Sequence, residues 1–592
     1  MMIEKSVSSI ELSSIVIDDK FWGNYMELIR NHVIPYQWEA LNDRIDGAEK
    51  SYCMQNFRRA AGLEEGKFNG CVFQDSDLYK WLEAVAYSLE MHPDGKLEEL
   101  ADGAIDLMEK AQQPDGYLDT LYIIGGLDKK FTNLMDNHEL YCMGHMIEAA
   151  VAYYNATEKD KLLNIAKRFV QCGMDNIGRE EGKIKGYPGH EVLELALVKL
   201  YDVTKDGRYI DFAEYLIDQR GKTPLYFKEE IKKNGNNFVW KDSYTQFQYY
   251  QAGIPVREQK AAEGHAVRAV YLYAGMADVA AKTNDETLLA ACEELWENIV
   301  KKQMYVTGGI GSTEYGEAFT FDYDLPNDTI YAETCASIGL IFFAKRMFEI
   351  TKDARYVHVM ERALYNGVIS GMSLDGKRFF YVNPLEVDPE ACEKDHNKKH
   401  VKPERQKWFG CACCPPNVAR LLSSIGNYAY EQDCNRLYIN LFIGGHIKTE
   451  LEGSPVDLKV KTEYPWNGQV RITHNLSSSY ELAIRIPDWC DDYSLTIGGK
   501  DVKYELEKGY AVIRKDFSAG ECIVLDMSLP TKLIAANPRV REDIGKIAVQ
   551  RGPVVYCLEQ VDNGPLLQSL YLDSKAEFEV KFEKDLLGGL MF

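Results

Sequence analysis

Four short stretches decide the fold: YNATEKDKLL (154–163), YDVTKDGRYI (201–210), AAKTNDETLL (280–289) and FEITKDARYV (348–357). Each carries a threonine (Thr157, Thr204, Thr283 and Thr351) followed within three residues by an aspartate. An aspartate at that place can accept from the first free amides of a helix that follows it. Each stretch therefore reads as a joint between two helices. Apolar residues recur at helical spacing around such joints, as in Leu97, Leu100, Ala101, Ala104, Ile105, Met108 and Ala111, with acids between them. The runs pair as 75–91 with 96–112, 138–156 with 160–175, and 190–203 with 207–219. They continue as 263–282 with 286–302, and 331–350 with 354–370; the last run, 415–430, can pair with 19–34. The irregular spacing excludes a solenoid of fixed period. Six hairpins closing on themselves give an (α/α)6 barrel, with an open helical array as the alternative.

The pattern changes after about Asp433. RLYINLFIGG (436–445), DLKVKTEYP (457–465), QVRITHN (469–475), YELAIRIPDW (480–489) and YAVIRKDF (510–517) alternate like strands and are separated by turn residues. The expected division is a barrel domain over 1–433, with a short strand as lead-in, and one or two β-sandwich units over 434–592. The chain ends in LLGGLMF (586–592), which reads equally as a natural end or as a strand cut short.

Composition narrows the function. The 592 residues carry a formal charge of −23, which argues against nucleic acid or an anionic membrane as partner and is compatible with neutral substrates. The first twenty residues hold no apolar run of signal-peptide length, and no stretch approaches the roughly 20 apolar residues of a membrane span. The fourteen cysteines show no disulfide spacing. A protein of the reducing cytoplasm is expected, with thiols free for metal or catalysis.

The thiols concentrate in WFGCACCPPN (408–417). Adjacent Cys413 and Cys414 would make a strained disulfide but can both turn to one soft metal ion. Pro415 and Pro416 suit a first helical turn, whose partial positive charge favours thiolate. Glu333 and Cys335 stand in YAETCAS (331–337). Glu333, Cys335, Cys413 and Cys414 together make a donor set suited to tetrahedral zinc, with Cys411 as a possible substitute ligand.

If the first helix of each hairpin lies inside, ligand-capable residues gather at one end of the barrel. His138 opens HELYCMGHM (138–146), His190 closes YPGH (187–190), and His265 stands in EGHAVRA (263–269). A single such histidine is more often a cap or a satisfied core residue; three at matching positions indicate a pocket. The loop GGIGSTEYGEAFTFDYDLPNDT (308–329) adds Glu314, Glu317, Asp322 and Asp324. One carboxyl group beside a thiolate can act as general acid and then base, and most of the four are expected to be solvated loop charges.

These segments, with IPDW (486–489), resemble glycoside hydrolase family 127, the β-L-arabinofuranosidase family, over essentially the whole chain. The resemblance implies an (α/α)6 barrel followed by β-sandwich domains, and a retaining exo-glycosidase with a zinc-bound cysteine nucleophile. It implies Cys413 as nucleophile, Glu317 as acid/base, and zinc on Glu333, Cys335, Cys413 and Cys414. It implies His138, His190, His265 and Tyr381, the last in RFFYVNPL (378–385), as sugar contacts. The expected partner is a small oligosaccharide or arabinoside, with a possible homodimer through the C-terminal β region. The competing readings are a glycosidase for another sugar on the same scaffold, a carbohydrate-binding protein with structural zinc, and a zinc redox sensor.

Overall fold

The computed structural model describes residues 7–235, 246–573, 575–584 and 590–591. The LLGG segment expected near the C-terminus and residues 1–6 of the lead-in lie outside the described residues. Six helical hairpins are present. We number their helices α1 (Trp22–Leu28), α2 (Asp75–Met91), α3 (Gly95–Ala111), α4 (Glu139–Thr157), α5 (Lys161–Asn176), α6 (Leu193–Thr204), α7 (Arg208–Gln219), α8 (Ala266–Thr283), α9 (Glu286–Asn298), α10 (Thr334–Thr351), α11 (Ala354–Arg362) and α12 (Cys414–Ser423).

The joints turn as their composition suggests, with one addition and one exception, Asp160, whose side chain makes no cap to α5. The residue after each threonine, Glu158, Lys205, Asn284 or Lys352, takes a left-handed conformation with φ between 54° and 60°. A non-glycine residue there costs about 1–2 kcal/mol. The turn then closes locally. Each threonine hydroxyl donates to the carbonyl four residues back, at 2.6–2.8 Å. Asp285 and Asp353 then cap the next helix by accepting from its first amides, as Asp94 does at the start of α3.

α2, α4, α6, α8, α10 and α12 are buried on nearly every face and form the inner ring. Their partners bury one apolar stripe each, as an outer ring should. Glycines bring inner helices together. A Cβ on Gly144 of α4 would stand 2.5 Å from Val192 Cγ1, and one on Gly339 of α10 would stand 2.4 Å from Val270 Cγ2 of α8.

Beyond Ala429 the chain is β-rich. One sheet has six strands, ordered Ser8–Ser9, Tyr430–Gln432, Arg436–Ile439, Ser478–Arg485, Tyr510–Phe517, Glu505–Glu507. A second has seven, from Lys500–Asp501 at one edge to Ile15–Ile17 at the other. The N-terminal lead-in thus supplies an edge strand to each C-terminal sheet rather than belonging to the barrel: Ser8 pairs with Gln432 and Ile15 with Ile447. Buried ion pairs tie the two parts together. Lys345 of α10 contacts Glu431, and Arg485 contacts Glu361 of α11, whose carboxylate also accepts from Tyr464 OH at 2.7 Å and Trp489 Nε1 at 3.1 Å. A smaller three-stranded sheet, Thr531–Ile534, Ala548–Arg551 and Val554–Tyr556, follows.

Candidate active site

The N-termini of the inner helices open at one end of the barrel, and the residues singled out above stand there. His138, His265, Glu333 and Cys413 occupy the N-cap positions of α4, α8, α10 and α12, where only the His265 side chain accepts from a helix amide; His190 lies just before α6. Helix N-termini leave amides unpaired and carry partial positive charge, so polar and anionic groups are favoured there.

Glu333, Cys335, Cys413 and Cys414 converge, with one ligand atom from each within 4.8 Å of the others. Glu333 Oε1 lies 3.2 Å from Cys413 Sγ and 3.5 Å from Cys414 Sγ. Cys414 Sγ is 3.4 Å from Cys335 Sγ and 3.8 Å from Cys413 Sγ. Cys411 falls outside this group; its sulfur meets Tyr381 OH at 3.5 Å. Four crowded acidic groups perturb one another. Burial and the neighbouring Cys413 push the Glu333 carboxyl well above its ordinary value. Burial opposes the Cys335 thiolate, but hydrogen bonds from Cys413 and Cys414 outweigh it and bring the thiol down to about 6. Glu333 Oε2 is buried without a hydrogen-bond partner. The four side chains could hold a metal ion.

Glu317 reaches the cluster through local β-structure. The turn Glu314–Glu317 puts Gly316 at φ 72° and Glu317 at φ 55°, and Ala318–Phe319 then pairs antiparallel with Gly264–His265. This pairing sets the Glu317 carboxylate beside the His265 ring. His265 Nδ1 accepts from the Arg268 amide at 3.2 Å, so the ring proton sits on Nε2 and is donated to Glu317 Oε2 at 2.8 Å. Tyr331 OH donates to Glu317 Oε1 at 2.8 Å. Burial raises the Glu317 carboxyl, and these two bonds more than offset it, leaving it below its ordinary value. His265, Glu317 and Glu333 also lie within 4.8 Å of one another, so Glu333 joins the carboxylate to the thiol cluster. Of the other loop acids, Asp322 is tied to Lys302 at 2.7 Å and Asn298 at 2.8 Å.

Tyr381 is placed by a backbone bridge between Glu333 and Val382 and by the Thr334 amide donating to its carbonyl. Its hydroxyl stands 2.9 Å from Cys413 Sγ. The histidines form one wall: ring centroids are 5.5 Å apart for His138 and His190, and 5.4 Å for His190 and His265. His138 Nδ1 bonds the Asp136 carbonyl and His190 Nδ1 bonds the Glu191 carbonyl, which leaves each Nε2 as an acceptor. Burial, then repulsion by Arg268, lowers His138 to about 3 and His190 well below the usual range. Neutral imidazoles suit a neutral, hydroxyl-rich ligand.

Three neighbours escaped the sequence reading. Tyr331 holds Glu317, Phe73 packs 4.9 Å from His138, and Arg268 stacks 4.6 Å from the Tyr249 ring with Nε and Nη1 lacking partners. Tyr331 stands two residues before Glu333, in the segment already singled out. Arg268 likewise stands three residues after His265 in EGHAVRA, and Phe73 carries no signal of its own.

A helical barrel whose inner-helix ends assemble a thiol–carboxylate cluster beside a histidine wall has the architecture of the (α/α)6-barrel enzymes. The chain belongs to glycoside hydrolase family 127 (GH127): the β-L-arabinofuranosidase GH127 catalytic-domain model matches residues 14–427, the GH127 middle-domain model 436–529, and the C-terminal-domain model 531–583. It is 42% identical, over 98% of its length and 91% of the other's, to a non-reducing end β-L-arabinofuranosidase of Bifidobacterium longum subsp. longum. A solved GH127 β-L-arabinofuranosidase from Geobacillus stearothermophilus T6 superposes with a TM-score of 0.95 and 54% identity, covering 98% of this chain and 91% of that one. A solved GH127 β-arabinofuranosidase gives 0.89 and 36%, covering 99% and 90%.

Proposed function

We propose that this enzyme releases L-arabinose from non-reducing β-L-arabinofuranosyl termini with retention of configuration, using Cys413 as nucleophile and Glu317 as acid/base. The observation that carries the reading is the placement of the Cys413 thiol and the Glu317 carboxylate about one residue, Glu333, with Tyr381 OH on the sulfur and His265 and Tyr331 on the carboxylate.

The donor set fits zinc. A tetrahedral site with Zn–S of about 2.3 Å and Zn–O of about 2.0 Å requires S···S near 3.8 Å and S···O near 3.5 Å. Two of the three S···S separations are 3.4 and 3.8 Å, two of the three S···O separations are 3.2 and 3.5 Å, the remaining pairs lie within 4.8 Å, and a second carboxylate oxygen has no hydrogen-bond partner. Glu333, Cys335, Cys413 and Cys414 would hold the ion, which when bound keeps the thiols deprotonated.

In the first half-reaction the Cys413 sulfur attacks the anomeric carbon, the bond to the leaving oxygen breaks, and the fraction of enzyme with Glu317 protonated delivers that proton to the oxygen. The product is a thioglycoside on Cys413. In the second, Glu317 takes a proton from water, the water oxygen displaces sulfur from the same carbon, and the thiolate is restored. Two displacements return the original configuration. His138 and His190 accept from hydroxyls of the terminal sugar.

We place the enzyme in the cytoplasm. No disulfide joins the cysteines of the described residues, and no described helix is long and apolar enough to cross a membrane. The proposed partner is a short arabinoside, with a homodimer through the C-terminal β region as the assembly.

Covalent trapping tests the nucleophile. An epoxide or haloacetamide built on L-arabinofuranose should leave a sugar-sized adduct on Cys413, prevented by free L-arabinose and located by peptide mass mapping of 408–417. An adduct on Cys411 or Cys414 would move the nucleophile. Labelling of Glu317 alone would return the enzyme to carboxylate chemistry.

A further inference from the structure

Arg420 lies on α12 seven residues beyond Cys413, two helical turns or about 10 Å below the thiols. It is 2% exposed and sits within the inner ring. Its Nη1 donates to Glu83 Oε2 of α2 at 2.8 Å and to Glu148 Oε2 of α4 at 3.3 Å. Its Nη2 donates to Tyr271 OH of α8 at 3.1 Å, and its Nε to Asn417 Oδ1 at 2.5 Å. The guanidinium lies 4.9 Å from the ring of Phe342 on α10, and Lys199 of α6 donates to Glu148 at 2.8 Å. Every inner helix therefore contributes a side chain to one layer, and Arg420 touches all of them but α6 directly.

The layer repeats the spacing of the site above it. Phe342 follows Cys335 on α10 by seven residues, as Arg420 follows Cys413 on α12. The Arg420–Phe342 contact thus fixes these two helices against each other at one level, and Glu333, Cys335, Cys413 and Cys414 meet between them two turns higher. Asn417, one turn below the thiols, is held by Arg420 and donates to Tyr271 OH at 2.8 Å.

We propose that Arg420 is a positioning residue of the active site, setting the height and rotation of α12 against α10 so that the two pairs of ligands meet. This rests on the reading that those four residues and Glu317 form the reacting site. A buried ion pair serving stability alone can be exchanged with little consequence once folding is retained. A planar fork that reaches four helices at once cannot be replaced by an ammonium group of the same charge.

The test compares the full-length enzyme with Arg420→Lys and Glu83→Gln. Folding is followed by thermal unfolding, metal retention by chelator competition, kcat and KM on an aryl arabinofuranoside, and Cys413 by its rate of alkylation with iodoacetamide. Folded Arg420→Lys should release metal at about tenfold lower chelator concentration and lose about tenfold or more in kcat. KM should stay within about threefold, because the hydrogen bonds of Arg420 go to none of the wall histidines His138, His190 and His265. Glu83→Gln, which leaves three of the four donor contacts, should show a smaller shift in the same direction. Wild-type kcat per titrated active site in folded Arg420→Lys, with unchanged metal retention, would overturn the proposal. If Arg420→Lys does not fold, unchanged values in Glu83→Gln do the same. Absence of turnover or metal in the parent enzyme defeats the underlying reading instead. In that event an unchanged Cys413 alkylation rate in Arg420→Lys overturns this inference by itself.

Discussion

Replacing Glu317 by glutamine exchanges one oxygen for an amino group and changes little else. The left-handed backbone at φ 55° is equally open to either residue. The amide oxygen can still accept from His265 Nε2, and the amide nitrogen can donate to Tyr331 OH, whose hydroxyl accepts as well as donates. The two 2.8 Å contacts therefore survive, and what is lost is the proton transfer. General acid–base groups contribute about 10²–10⁴-fold, or about 3–5 kcal/mol of barrier. Glu317→Gln should lose that much in kcat/KM on a β-L-arabinofuranosyl disaccharide, whose leaving alkoxide needs a proton. On an aryl arabinofuranoside with an activated phenol the first step needs no acid, so kcat/KM should fall far less. Steady-state kcat should still be low there, because water is no longer deprotonated and the sugar accumulates on Cys413. Mass spectrometry should show that adduct, and added azide should restore turnover to a glycosyl azide of retained configuration. An equal loss of kcat/KM on both substrates would refute the acid/base role and leave Glu317 as a binding or structural residue.

Purified enzyme should contain about one zinc per chain by elemental analysis, and a chelator should abolish activity; full activity in metal-free protein contradicts the four-ligand reading. Gly339→Ala should lower stability by about 1–3 kcal/mol in thermal unfolding, since the new Cβ meets Val270 at 2.4 Å and this outweighs a helix-propensity gain of about 1 kcal/mol. A stabilised variant would mean that α8 and α10 separate freely. His138 is held at about 3, below its unfolded value, so its contribution is present above about pH 6.5 and is lost as pH falls toward 3. Between pH 7 and 5 this one group should remove about 2 kcal/mol of unfolding free energy. His138→Asn, which tolerates the left-handed backbone, should flatten the urea-midpoint slope by that amount, and an unchanged slope refutes the assignment.

Much of this molecule was legible in order along the chain. The Thr…Asp joints, the paired helical runs and the shift to alternation after Asp433 are local patterns, because helices and strands are made of near-neighbour contacts. The thiol run before two prolines announced thiols gathered at a helix start for the same reason. The tertiary structure decided what depends on distant segments meeting. The N-terminal strands join sheets whose other strands lie more than 420 residues away, as Ser8 does with Gln432. Glu317 was one acid among four until the pairing of Ala318–Phe319 with Gly264–His265 brought it to His265. Cys414 rather than Cys411 completes the thiol–carboxylate cluster because the turn into α12 aims its sulfur at Cys335, 79 residues away in sequence. Arg420 carried no signal of its own in the sequence. No periodicity says which helices surround a side chain; closure of the ring does, because a buried charge has to find its partners on whatever elements the fold sets around it.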